Sequence, residues 1–123
     1  MDELSKHVSN AELVTSVVGS WPDLHDAEVL SVELKRDGRP SVVLTIKAIP
    51  YDPSGKTGQA LLQLLFKDVE EVELRDFNEQ NVVWNLFVEP QGPKRRLVIS
   101  PTYGLGGGLL FSEAEVLRAE ALG

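Results

Sequence analysis

The sequence predicts an α+β fold that is mainly β, with one N-terminal helix and a curled antiparallel meander of about six or seven strands. Three observations predict it. Apolar residues recur with period two from Leu30 onward, turn-forming residues separate those runs, and only one early stretch has helical spacing. At 123 residues the chain is expected to form a single domain, helix over 9–18 and mainly antiparallel sheet over 28–122.

Ser9 followed by Glu12 has the spacing of a capping box, so the helix is expected to run from Ser9 to Val18. Leu13 and Val17, with Val14, would form its buried face, and Gly19 would stop it. Leu30, Val32 and Leu34 then alternate with Ser31, Glu33 and Lys35, as in a strand with one wet face. Asp37-Gly38 suits a tight hairpin turn, and Val42, Leu44 and Ile46 mark the returning strand.

Ile49 to Gly58 reads as a loop. Leu62, Leu64 and Phe66 mark the next strand, and a turn near Asp68 leads to Val72 and Leu74, with Glu71, Glu73 and Arg75 outward. Phe77 to Asn81 is too short and polar for a strand and suits one helical turn. Val82, Trp84, Leu86 and Val88 alternate again, Pro90 to Lys94 is a loop, and Leu97 and Ile99 begin a further strand. The segment 112–122 reads two ways. Ser112-Glu113-Ala114-Glu115 has the character of a helix cap, whereas Phe111 to Leu122 also suits a closing strand.

Hydrophobic residues make up 42% of the chain and charged residues 25%, ordinary for a soluble protein. Apolar runs such as Leu64 to Phe66 are far below the roughly 20 residues of a membrane span. The first seven residues lack the pattern of a signal peptide, and there is no cysteine for a disulfide or thiolate metal site. The expected location is the cytoplasm. The net charge is −7: residues 1–89 hold sixteen acids and eight bases, and residues 90–123 hold three acids and four bases. An acidic body disfavours nucleic acid, whose phosphates need clustered Lys and Arg, and favours capture of a basic partner.

Gly55-Lys56-Thr57 resembles a phosphate-binding loop, but the pattern needs a glycine where this chain has Pro50, and no amphipathic helix follows. Tyr103-Gly104-Leu105-Gly106-Gly107-Gly108 lies outside any βαβ alternation, so it reads as a wide turn or bulge where backbones approach closely. His25-Asp26 admits three readings: an acid–base pair, metal ligands, or a polar knot that fixes the strand start. No Gly-x-Ser-x-Gly elbow accompanies it, and the knot is the economical reading. Asn78, Gln80 and Asn81 form a second polar cluster, suited to satisfying a turn or to presenting donors to a partner.

Three segments together carry a family resemblance. They are Trp21-Pro22-Asp23-Leu24-His25-Asp26-Ala27-Glu28-Val29, Phe66 through Phe77-Asn78-Glu79-Gln80-Asn81-Val82, and Pro101-Thr102-Tyr103-Gly104-Leu105-Gly106-Gly107. In order and spacing the chain resembles the immunity protein 50 family, predicted antidotes of bacterial polymorphic toxin systems, from about Trp21 to Leu122. Trp21, Pro22, Leu24, His25 and Asp26 match one family pattern, and Phe77, Asn78, Gln80, Asn81 and Val82 another. Lys67-Asp68 departs from the small or glycine turn expected there. The resemblance implies a closing strand over 112–122 and neutralisation of a cognate toxin domain.

The expected function is therefore non-enzymatic toxin binding, without cofactor or metal, membrane or nucleic acid. Glu70, Glu71, Glu73, Asp76 and Glu79 form the densest acidic segment and the expected docking surface for a basic toxin. Trp21, Pro22, His25, Asp26, Phe77, Asn78, Gln80, Asn81, Tyr103 and Gly104 are expected to be structural. Two alternatives stand beside it: a small metal-dependent hydrolase using His25 and Asp26, or a small-molecule-binding regulatory domain within the curled sheet.

Overall fold

The computed structural model describes residues 2–36, 38–49 and 58–122. Its elements are β1 (Asp2–Glu3), a 3-10 turn (Leu4–His7), α1 (Glu12–Val18), β2 (Glu28–Lys35), β3 (Ser41–Ala48), β4 (Ala60–Lys67), β5 (Glu70–Arg75), β6 (Val82–Gln91), β7 (Lys94–Tyr103), β8 (Gly106–Phe111) and β9 (Glu113–Ala121). The fold is α+β and mainly β. The described residues hold nine strands, not six or seven. The additions are the two-residue β1 and the glycine-rich β8, which the sequence had suggested was a turn. No described helix is long and apolar enough to cross a membrane.

All ladders between named strands are antiparallel, in the order β5-β8-β7-β6-β2-β3-β4-β9, with β1 beside β6. β5 and β9 stand at opposite ends of that order. Yet β4 runs into β5 through Asp68 and Val69, and β8 into β9 through Ser112. Both ends therefore meet at one corner, where the Ser112 N–H donates to the Lys67 carbonyl (3.0 Å) and the Val69 N–H to the Pro40 carbonyl (3.1 Å). The sheet curls because its own connections return its edges to each other.

The core follows from the period of the central strands. On β3, Val42, Leu44 and Ile46 are fully buried, and they stand opposite the equally buried Phe66, Leu64 and Leu62 of β4. Leu97, Ile99, Leu109 and Phe111 join them from β7 and β8. The Phe66 and Phe111 rings meet edge to face at 5.1 Å, a contact worth about 1 kcal/mol beyond the area it buries.

Several local expectations are corrected. The helix starts at Glu12, not Ser9, and has no side-chain cap. Ser9 instead pairs with β9: its N–H donates to the Ala114 carbonyl, and its carbonyl accepts from the Val116 N–H, both at 2.9 Å. Val14 is the buried residue of α1, while Leu13 and Val17 are 41% and 37% exposed. Gly19 does end the helix, at φ +100°. No helical turn forms over 77–81. The expected loop at 90–94 shrinks to the two residues between β6 and β7. Segment 113–121 is strand: pairing with β4 along its length overrides its alanine–glutamate helix propensity. Asp37 of the hairpin turn, most of the 49–58 loop and Gly55-Lys56-Thr57 lie outside the described residues.

Candidate functional site

β2 and β6 touch only at their starting ends, where Glu28 pairs with Val82, and then run in opposite directions. The segment 21–27 fills the angle between them. Asp23 folds it by accepting the His25 N–H on Oδ1 (2.9 Å), an Asx-type turn, and the Ala27 N–H closes onto the Leu24 carbonyl (3.0 Å). Asp26 takes a left-handed φ of +69°, which aspartate tolerates better than most residues. The segment is then stitched to β6 by Asp26 N–H to the Val83 carbonyl and Val83 N–H to the Ala27 carbonyl, both 2.8 Å.

His25 completes this join. A carbonyl can only accept, so the Nδ1–H of His25 donates to the Trp84 carbonyl at 2.8 Å, and the two rings meet edge to face at 4.6 Å. Nε2 faces the Asp26 carboxylate at 3.6 Å, and the two side chains are 40% and 65% exposed. Among the described residues no serine or threonine hydroxyl bonds this imidazole, and no three His, Asp or Glu side chains gather as a metal site. Chemically, the pair offers one committed donor and a second ring nitrogen beside a carboxylate.

Asn81 is the second knot, 3% exposed and bonded on both ends of its amide. Oδ1 accepts from the Asn78 N–H (2.9 Å) and the Leu105 N–H (3.0 Å), and Nδ2 donates to the Asn78 carbonyl (2.9 Å) and the Val29 carbonyl (3.4 Å). Gly104, at φ +82°, lies so close to Asn81 that a Cβ there would collide with the Asn81 side chain. The structure thus brings the Trp21–Val29, Phe77–Val82 and Tyr103–Leu105 segments together at the starts of β2 and β6. Pro22 is buried, Trp21 half-buried, and Asn78 accepts the Glu79 N–H at 2.8 Å. Gln80, Phe77 (56%) and Tyr103 (50%) are exposed, so the three segments combine buried ties with an exposed rim.

The acidic segment lies on β5 and the loop after it, apart from those ties. Between Glu70 and Glu73 the β5–β8 register shifts, and Glu71 sits at φ +47°. Simple alternation is broken there, yet Glu70, Glu71 and Glu73 all remain exposed. Each has a cation: Glu70–Lys94 at 2.9 Å, Glu71–Arg96 at 3.0 Å and Glu73–Arg75 at 3.4 Å. Among the described residues Asp76 and Glu79 have no ion-pair partner.

Two exposed features escaped the sequence reading. Trp84 is 58% exposed, because irregularities on both sides of Val83 break the expected set of Val82, Trp84, Leu86 and Val88. Leu30 and Leu34 are 44% and 62% exposed, though alternation had assigned them to a buried face. A register shift between Val29 and Ser31 displaces Leu30, and among the described residues no strand pairs with the far half of that edge. Neither irregularity leaves a sequence signal. The described cavities are open surface grooves, while the inner faces of the central strands pack against one another.

Among known proteins, the family model described as immunity protein 50 matches residues 10–121. Nothing among curated proteins or solved structures matches the chain.

Proposed function

Since the chain belongs to the immunity protein 50 family, we propose that it is a non-enzymatic protein that neutralises a cognate toxin by direct association in the cytoplasm. The family match along nearly the whole chain carries this reading. The geometry supports it: the Nδ1–H of His25 and the whole Asn81 amide are engaged in holding strands together. A basic toxin surface would be drawn first to the acidic side around β5, with long-range charge speeding encounter and apolar contacts supplying most of the affinity.

The test is co-expression with the toxic domain encoded beside its gene. Restored growth and co-elution of the purified pair are expected. Continued toxicity despite soluble, folded protein would overturn the proposal.

A further inference from the structure

The edge of β6 on the side of β2 is covered in pieces. Val82 pairs with Glu28, Val83 bonds to Asp26 and Ala27, and the Trp84 carbonyl accepts from His25. β1 resumes the cover at Phe87 and Val88. Between these ties, among the described residues, no strand pairs with that edge at Asn85 and Leu86. The gap is an open groove of about 360 Å³, with residues 21–24 on one side and Glu3 and Leu4 on the other.

This groove is apolar apart from two charges. Leu4, Pro22 and Leu86 are buried and Trp21 is half-buried. Glu3 and Asp23, one from each side, are the only charged residues lining it among those described. Both are exposed, and neither has an ion-pair partner among the described residues. One oxygen of Asp23 accepts the His25 N–H, which leaves the second oxygen and the charge without a cation. Lys6, His7 and His25, the basic residues nearest in sequence, do not line the groove, and the His25 Nδ1–H is directed at the Trp84 carbonyl.

We infer that this groove takes one arginine side chain of the protein partner, its guanidinium between the Glu3 and Asp23 carboxylates and its stem along Trp21, Pro22 and Leu86. Two uncompensated carboxylates select a cation over a neutral or acidic side chain. Their approach from different sides calls for several donors on one head group. A guanidinium carries five in a fixed plane and stacks on an indole face, whereas an ammonium is a compact point charge. Apolar walls suit the methylene stem, which prefers to lie along such surface while its head stays polar. The inference rests on the protein-binding reading above and adds one anchoring contact and the side chain that makes it.

The test is an NMR titration of the whole chain with N-acetyl-arginine amide as the probe. The Trp21 indole and the Asn85 and Leu86 amides are expected to shift saturably. N-acetyl-citrulline amide, nearly the same shape without the charge, should bind about tenfold or more weakly. N-acetyl-lysine amide should bind about threefold or more weakly. Combining Glu3→Gln with Asp23→Asn should weaken arginine binding about tenfold or more. The asparagine keeps an oxygen for the His25 N–H, so the corner stays folded, as the same spectra verify. No saturable shift, shifts confined elsewhere, equal affinity for the citrulline or lysine probe, or an unaffected double variant each overturns the groove. The purified pair with the toxic domain separates the two ideas. A double variant that binds the toxin as tightly as the parent sinks the groove and leaves toxin binding intact. Failure of the unmutated chain in co-expression sinks toxin binding whatever the probe does.

Discussion

His25 and Trp84 hold each other twice: imidazole Nδ1 donates to the Trp84 carbonyl at 2.8 Å, and the rings contact edge to face. Both residues are part exposed, so the tie secures a surface join rather than filling the core. His25→Ala is expected to cost about 1–2 kcal/mol in chemical denaturation, the sum of one modest hydrogen bond and one ring contact. A loss above about 4 kcal/mol would contradict this account.

Asn81 predicts a larger effect. Asn81→Leu removes the acceptor of the Asn78 and Leu105 N–H groups and fills their space with methyls. About 3 kcal/mol or more should be lost, because buried donors left unpaired carry a full desolvation penalty. Denaturant midpoints, read with an unchanged slope, would measure it.

Gly107 is required by crowding and by φ +121°. A methyl group would collide with the Glu73 carbonyl on the adjoining strand. Gly107→Ala should therefore detach β5 from β8, at a cost of about 2 kcal/mol or more. Fast exchange of β5 amides with slow exchange retained in β3 and β4 is the expected signature.

The acids around β5 should divide by function. Reversing Glu70 or Glu71 breaks exposed ion pairs with Lys94 or Arg96 and should cost less than about 1 kcal/mol of stability. Reversing Asp76 and Glu79 together, the two without an ion-pair partner among the described residues, should slow association with a basic toxin about tenfold at low salt. The difference should fade by about 1 M salt, where the screening length falls to roughly 3 Å. Equal rates for mutant and parent at low salt would remove these acids from the encounter.

β3 and β4 were legible from sequence because both have paired neighbours, so the apolar set at 42, 44 and 46 and its partners at 62, 64 and 66 obey a period of two. β8 was not, since three consecutive glycines mimic a turn. Their role depends on the Glu73 and Leu97 carbonyls on either side, which only the assembled sheet supplies. Ser9 misled for a related reason: its capping chemistry lost to backbone pairing with β9. The polar segments at Trp21 and Asn78 could be recognised singly. Their meeting through Val29 and Leu105 depended on β2 and β6 abutting end to end.

The corner joining β4 to β5 and β8 to β9 makes the sheet mechanically circular. Peeling β9 from β4 strains the Ser112–Lys67 bond, and that strain passes through two residues into β5. Loosening should therefore appear at both rims together, as one cooperative opening instead of independent fraying.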